Sequence, residues 1–450
     1  MNSLLALGAR ALTMVVSLVC GIITTRLILG ETDVQHYALY SLLITIPSLL
    51  TFTDLGSGAV LVNAVATSDD IRSDRRLRLQ VTSVGRILLM FATGLMVVNT
   101  VLLVTGGWRV LFGDAGAIDG AALAAFLCVT LFSLTITLGV WFRILLGQRR
   151  NHLVILVQGL ISPITLGGVW LLLTFGGRAL DSFLATASYG ASLLSAIIGF
   201  TLVSRSTRPL IPDALRMIPR WRRVPGVRVM DVGWPMLAQM VTYPIAVGSQ
   251  RYVLAQFGTP TDVAEYGVAG QVFFALNGLV MAAGVALWPQ FARLRHRGEL
   301  RRGPYLLSLV FAGAVAAATL CVWLVSPWLF PFITQGELEV RTTTILAFGA
   351  MIMLTAAVYP LGMFIMDKPG IRFQVIPTLA MAAVSVTLSI VLTPILGIAG
   401  PMLGVCFALV VCQIVPYAIY IHRHRERLLR AESADGAEPE REVEQATDAV

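Results

Sequence analysis

Apolar residues along the chain gather in long blocks rather than alternating as on a strand or striping one face as on a surface helix. A helix that crosses a bilayer takes about 20 mostly apolar residues at about 1.5 Å each. Blocks of that length fall near 6–29, 36–66, 80–104, 121–146, 153–175, 182–203, 230–256, 263–291, 305–329, 342–366, 373–394 and 399–421. The pattern therefore predicts an all-α integral membrane protein of about twelve transmembrane helices. Several blocks exceed the minimum, so tilts or kinks are expected. Pro47, Pro163, Pro244, Pro360, Pro377 and Pro416 lie inside blocks and are the natural kink sites. The first block has no basic residues ahead of it and is too long for a signal-peptide core, so it reads as the first span.

The polar segments between the blocks test this division independently. Alternate loops, 67–79, 147–152, 204–229, 292–304 and 367–372, together with the start of the C-terminal tail, hold 24 Arg and Lys residues. The opposite loops hold only Arg109, Arg178 and Arg341. Basic residues stay on the cytoplasmic side of a membrane, so both termini are expected in the cytoplasm. A missed or invented span would break the alternation.

The chain also repeats a local motif. Thr32-Asp33-Val34-Gln35-His36-Tyr37 leads into the second block and Thr261-Asp262-Val263-Ala264-Glu265-Tyr266 into the eighth. Arg26 and Arg251 lie near the matching ends of blocks one and seven. These placements predict two six-helix bundles, residues 1–203 and 230–425, related about an axis along the membrane normal. Between them, 204–229 reads as a basic cytoplasmic interfacial linker. Leu215, Ile218 and Trp221 share one face there, and Pro219 is the expected bend. Residues 426–450 read as a disordered acidic cytoplasmic tail; within them, 431–450 carry seven acids against Arg441.

Composition agrees with a membrane protein. Hydrophobic residues make up 56% and charged residues 13% of 450, against about 25% charged in soluble chains. Mean hydropathy is +0.80. The net charge of +8 does not point to nucleic acid, because the arginines lie in short loops between spans. The five cysteines lie in apolar blocks without a CxxC pair, and the five histidines form no metal-ligand spacing with them. No GxSxG, P-loop or HExxH motif occurs, so neither an enzyme nor an ATP-driven pump is indicated, and no cofactor is expected.

Charge inside a span needs a cavity, a partner or a route to the interface. Asp54 lies 12 residues from the end of block two, or roughly 18 Å along a helix, too deep for its short side chain to reach the interface. It is either a coupling or gating carboxylate or the partner of Arg10 or Arg86. Arg10, Arg86 and Arg143 lie just inside the cytoplasmic interface, where each either snorkels outward or joins an electropositive pocket for an anion. Arg143, nearest its span end, snorkels most easily. Arg26 and Arg251, near the opposite mouth, either receive phosphate or anchor their helices. Gln239, Gln250, Gln271 and Asn277 add neutral polarity to blocks seven and eight, for helix-to-helix hydrogen bonds or for lining a sugar cavity.

Several local sequences carry a family resemblance over about residues 1–425. They are Arg26-Leu27-Ile28-Leu29-Gly30 followed by Tyr37, Phe52-Thr53-Asp54-Leu55-Gly56, Gly233-Trp234-Pro235 and Leu287-Trp288-Pro289. The chain resembles the polysaccharide (Wzx-type O-antigen) flippases of the multidrug/oligosaccharidyl-lipid/polysaccharide exporter superfamily. That resemblance implies alternating access around a cavity lined by spans one, two, seven and eight, in a bacterial inner membrane. The implied cargo is an undecaprenyl-pyrophosphate-linked oligosaccharide, carried from the cytoplasmic to the outer leaflet. On this reading Arg10, Arg26, Arg86, Arg143, Arg251, Gln239, Gln271 and Asn277 bind substrate, Asp54 couples or gates, and polysaccharide-assembly proteins are potential partners. A cation-coupled drug or metabolite antiporter on the same fold is one alternative. The other is a non-transporting membrane scaffold of a polysaccharide-assembly complex.

Overall fold

The computed structural model describes residues 2–50, 57–68, 70–148, 150–220, 242, 244–296 and 303–429. Among them there are helices and no strands. Among the described residues, ten helices are long and apolar enough to cross a membrane. They match the expected blocks except the second and the seventh, each of which includes residues outside the described set. Span 1 is Asn2–Glu31 and span 2 is divided into Val34–Leu43, Ile46–Leu49 and Ser57–Thr67. Span 3 is Arg75–Val104, span 4 Ala121–Thr137 with Val140–Gly147, span 5 Asn151–Gly159 with Ile161–Phe175, and span 6 Ala185–Ser206. The described end of span 7 is Pro244–Gly248 with Gln250–Phe257; span 8 is Pro260–Val285, extended by Leu287–His296. Spans 9, 10 and 11 are Tyr305–Thr334, Thr342–Phe364 and Lys368–Leu396, and span 12 runs from Ala399–Ala408 to Val415–Arg423. The fold is an all-α multi-pass membrane bundle.

Local chemistry sets the helix ends. Asp74 starts span 3 by accepting the main-chain N–H groups of Arg76 (2.8 Å) and Leu77 (3.1 Å). The repeated hexapeptide marks a helix start in both places. Asp33 caps span 2 by accepting the His36 N–H at 2.8 Å, whereas Asp262 completes a capping box with Thr259 ahead of span 8. Prolines act unequally on the expected kinks. Pro47 and Pro163 lack the N–H that would bond the carbonyls of Leu43 and Gly159, and the helix breaks just before each. Pro244 opens a π-helical turn and Pro416 follows another, Leu409–Ile414. Spans 10 and 11 continue through Pro360 and Pro377.

Lipid is as apolar as leucine, so close packing rather than hydrophobic exclusion draws such helices together. Gly349 admits span 9 against span 10: a Cβ there would sit 2.2 Å from Thr319 Cγ2. Gly199 does the same for Trp141, whose ring atoms lie from 2.3 Å of such a carbon. Outward positions such as Val15, Leu309 and Ile376 are exposed apolar side chains suited to acyl chains.

The linker is described as far as Arg220. Its helix, Leu210–Met217, buries Leu210, Ile211 and Ala214, while Leu215, expected on the apolar face, is exposed. The helix packs on span 3 rather than lying free, with Arg78 within 3.4 Å of Asp213 and Ile218 against Gly85. Trp221 and the acidic tail from 430 onward lie outside the described residues.

Candidate substrate cavity

The break in span 2 organises the site. A continuous helix would bond the carbonyls of Ser41, Leu42 and Leu43 to the N–H groups of residues 45, 46 and 47. Pro47 has none, and Thr45 turns its N–H to Leu42 instead, at 3.1 Å. Each carbonyl finds a side-chain donor. Arg251 Nη1 reaches Ser41 at 2.8 Å, the Tyr252 hydroxyl reaches Leu42 at 3.0 Å, and the Tyr189 hydroxyl reaches Leu43 at 2.5 Å. Arg251 also donates to Thr45 Oγ1. The severed helix end is thus closed by two neighbouring residues of span 7 and one of span 6.

Beside this junction lies a cavity of about 230 Å³ between the two halves of the chain. Its walls include Thr24, Thr25, Tyr37, Ser41, Arg251 and Gln271. Gln271 accepts from the Thr25 hydroxyl at 3.1 Å, tying span 8 to span 1. Arg251 is 9% exposed and forms no ion pair among the described residues, its charge meeting only neutral oxygens and the Tyr266 ring at 5.6 Å. A second cavity, about 460 Å³, lies within the first half and is lined by Arg143, Trp141, Phe142, Gln158 and Tyr189. Both cavities touch Ile44, Ile161 and Ser188.

The expected site residues separate into groups. Arg251 and Gln271 share the inter-half cavity. Arg143 faces the second cavity; instead of snorkelling it is buried, donating to the Gly139 carbonyl at 2.6 Å with its guanidinium 4.3 Å from the Phe142 ring centre. Arg86 is buried as well, donating to the carbonyls of Met217 (2.9 Å) and Ile218 (3.1 Å) at the C-terminal end of the linker helix. Arg26 stacks over Phe332 at 4.6 Å and donates to its carbonyl, while Gln335 returns a bond to the Arg26 carbonyl at 2.8 Å. Arg10 is exposed and Asn277 is buried in span 8. Gln250 is spent between helices, accepting from Tyr266 at 2.7 Å. Asp54 and Gln239 lie outside the described residues.

One charged network escaped the sequence reading. Glu265, fully buried at the start of span 8, accepts from the main-chain N–H and Nε of Arg341, both at 2.8 Å, and from the Thr344 hydroxyl. Arg341 also pairs with Asp262. The signal was present in the hexapeptide, where Asp262 and Glu265 are three apart and share a helix face. Arg341, in a loop, gives no sign in the sequence of the buried acid it meets.

Solved structures share this arrangement of helices around a polar, cation-bearing cavity. An inward-facing multidrug resistance MATE family transporter of the MOP superfamily is 16% identical, covering 96% of this chain and 100% of that one with a TM-score of 0.60. The lipid II flippase MurJ, in an inward closed conformation, is 11% identical, covering 93% of this chain and 87% of that one with a TM-score of 0.65. A MOP superfamily transporter from Pyrococcus furiosus, described by the reverse polarity of its binding pocket, is 16% identical with a TM-score of 0.52, covering 94% and 95% of the two chains. The chain belongs to the family described as polysaccharide biosynthesis protein, whose sequence model matches residues 1–295. No curated protein matches it. The sequence model shows the family, and the fold is shared with these solved structures.

Proposed function

We propose that the protein is a flippase that carries an undecaprenyl-pyrophosphate-linked oligosaccharide from the cytoplasmic to the outer leaflet by alternating access. The observation that carries this reading is Arg251, a buried cation that forms no ion pair among the described residues, on the wall of a polar cavity between the halves. An unbalanced charge at membrane depth is costly and marks a substrate path by default, and a guanidinium suits phosphate oxygens. The polysaccharide family supports a glycan cargo. In the proposed arrangement, residues 1–203 and 230–425 are the two moving bundles, 204–229 joins them and 426–450 trails in the cytoplasm.

The side of loading follows from two asymmetries. The arginine-rich loops assign one face to the cytoplasm. The bonds between halves described above, Arg26 with Phe332 and Arg251 with Ser41, are joined by Gln256 with the Val110 carbonyl toward the arginine-poor face. This pattern favours a conformer closed to the outside and loaded from within. Exposed Arg10 suits first contact with the pyrophosphate, Arg251 and Gln271 hold it in the cavity, and Asp54 remains the candidate coupling carboxylate.

The reading is tested in inside-out membrane vesicles containing the protein and a labelled undecaprenyl-pyrophosphate oligosaccharide. A membrane-impermeant glycan-modifying reagent should lose access to the label as it moves into the lumenal leaflet. Arg251→Gln should slow this loss at least tenfold, the loss of one charge-assisted contact. Wild-type vesicles that do not protect the label, yet extrude a cationic dye, would replace the reading with the antiporter.

A further inference from the structure

Arg251 does two things that oppose one another. It lines the cavity, and it holds the severed end of span 2 through Ser41 and Thr45. The C-terminal end of a helix carries a partial negative charge in its unsatisfied carbonyls. Arg251 and Tyr252, from the second half of the chain, donate to the carbonyls of Ser41 and Leu42, which also accept the Thr45 hydroxyl (2.9 Å) and N–H (3.1 Å); Tyr189 reaches Leu43 from within the first half. An oxyanion in the cavity would claim the same guanidinium and place its own negative charge against those carbonyls. The two anions compete for one cation whichever N–H groups the newcomer takes.

We propose that diphosphate binding at Arg251 unlatches span 2 from span 7, so that loading the cavity itself releases the closure at the arginine-poor face. The inference rests on the anionic cargo of the proposed function. Uncharged grips remain elsewhere at that face: Gln256 on Val110, and the backbone approach at Gly113, where a Cβ would sit 1.9 Å from the Ala255 carbonyl oxygen. These do not answer to charge and do not by themselves keep the protein shut, which leaves Arg251, among the described residues, as the contact between span 7 and span 2 that an anion can break. Arg26, half-buried against Phe332, is a separate contact between spans 1 and 9.

Linkage supplies a test that a merely structural role would not meet. If binding opens the latch, weakening the latch must tighten binding by the same factor. Tyr252→Phe removes the neighbouring donor and leaves the guanidinium intact. It should raise the affinity for diphosphate about fivefold, the worth of one neutral hydrogen bond. The full chain in lipid nanodiscs, with its five cysteines replaced, is spin-labelled at Asp119→Cys and Glu339→Cys. These exposed positions lie in arginine-poor loops of the two halves. Inter-label distances and calorimetric affinities are then measured with inorganic pyrophosphate and with farnesyl pyrophosphate.

Wild type should lengthen its distance on binding. Arg251→Gln should show the longer distance without ligand and respond to neither probe. A response to farnesyl pyrophosphate alone assigns the trigger to a lipid headgroup, and a response to both assigns it to the bare oxyanion. Diphosphate that binds without lengthening the distance overturns the latch and leaves the anionic cargo standing, as does unchanged or weaker affinity in Tyr252→Phe. Failure of wild type to bind either probe overturns both.

Discussion

Removing the Arg341 side chain should destabilise the second half through Glu265, a residue that the substitution does not touch. Glu265 is 1% exposed and accepts from the Arg341 guanidinium, the Arg341 main chain and Thr344. Arg341→Ala keeps the main-chain and hydroxyl donors and removes the one cation that Glu265 meets among the described residues, leaving a buried carboxylate uncompensated. Breaking a buried pair in this way costs about 3–5 kcal/mol. Arg341 itself is 50% exposed, so water screens part of the attraction, and about 2 kcal/mol is the better figure. The apparent melting midpoint, followed by the monodisperse fraction surviving heating in detergent, should fall by about 5 °C. Glu265→Gln in the same chain removes the stranded charge and should return about half of that loss, a coupling of about 1 kcal/mol. A midpoint in Arg341→Ala within about 1 °C of wild type would refute the reasoning. So would a double variant whose loss equals the sum of the singles.

Two further outcomes follow from local geometry. Asp74→Ala removes the cap of span 3 and should speed hydrogen exchange at the Arg76 and Leu77 amides about fivefold, for a loss of about 1 kcal/mol. The Leu77 N–H, the Ser68 hydroxyl and the Arg76 N–H hold the Asp74 carboxyl below its usual value. The cap is therefore fully present above the ordinary carboxylate range near about 4, and the same amides should lose protection as pH falls through the lowered value. Gly349→Ala drives a methyl into Thr319 and should lower the melting midpoint, while Thr319→Ala in the same chain should restore part of it. Equal midpoints for the single and double variants would show that spans 9 and 10 do not meet through this pair.

The spans were legible because crossing a bilayer demands a minimum run of apolar residues, and the break before Pro47 because proline lacks a donor. What the sequence concealed was where each interior charge finds its partner. Arg86 meets carbonyls 131 and 132 positions away, and Arg251 reaches back 210 positions to Ser41. Main-chain carbonyls exist at every residue, so no residue type announces them as partners. Arg143 illustrates the cost of this blindness. Its distance from the span end suggested an escape to the interface, yet a break at Leu138–Gly139 gives it a carbonyl and an aromatic face within its own helix. Glu265 is hidden for another reason: it stands where the two hexapeptides differ, opposite His36, and its counterion Arg341 lies 76 positions away.

The π-helical turn Leu409–Ile414 makes the register of span 12 depend on a single residue. Such a turn carries one residue more than an α-helix spanning the same rise, and everything beyond it is rotated by about 100°. Beyond it stand Tyr417, 3.4 Å from the Thr378 hydroxyl, and Tyr420, stacked 4.2 Å from Phe373. Both partners belong to span 11. Deleting Val410, whose side chain faces outward, would let the segment relax into an ordinary helix and swing both tyrosines off span 11 while leaving the sequence around them unchanged. The end of the last span is thus aimed by a count rather than by a composition, and a substitution anywhere in the turn would be milder than the loss of one residue from it.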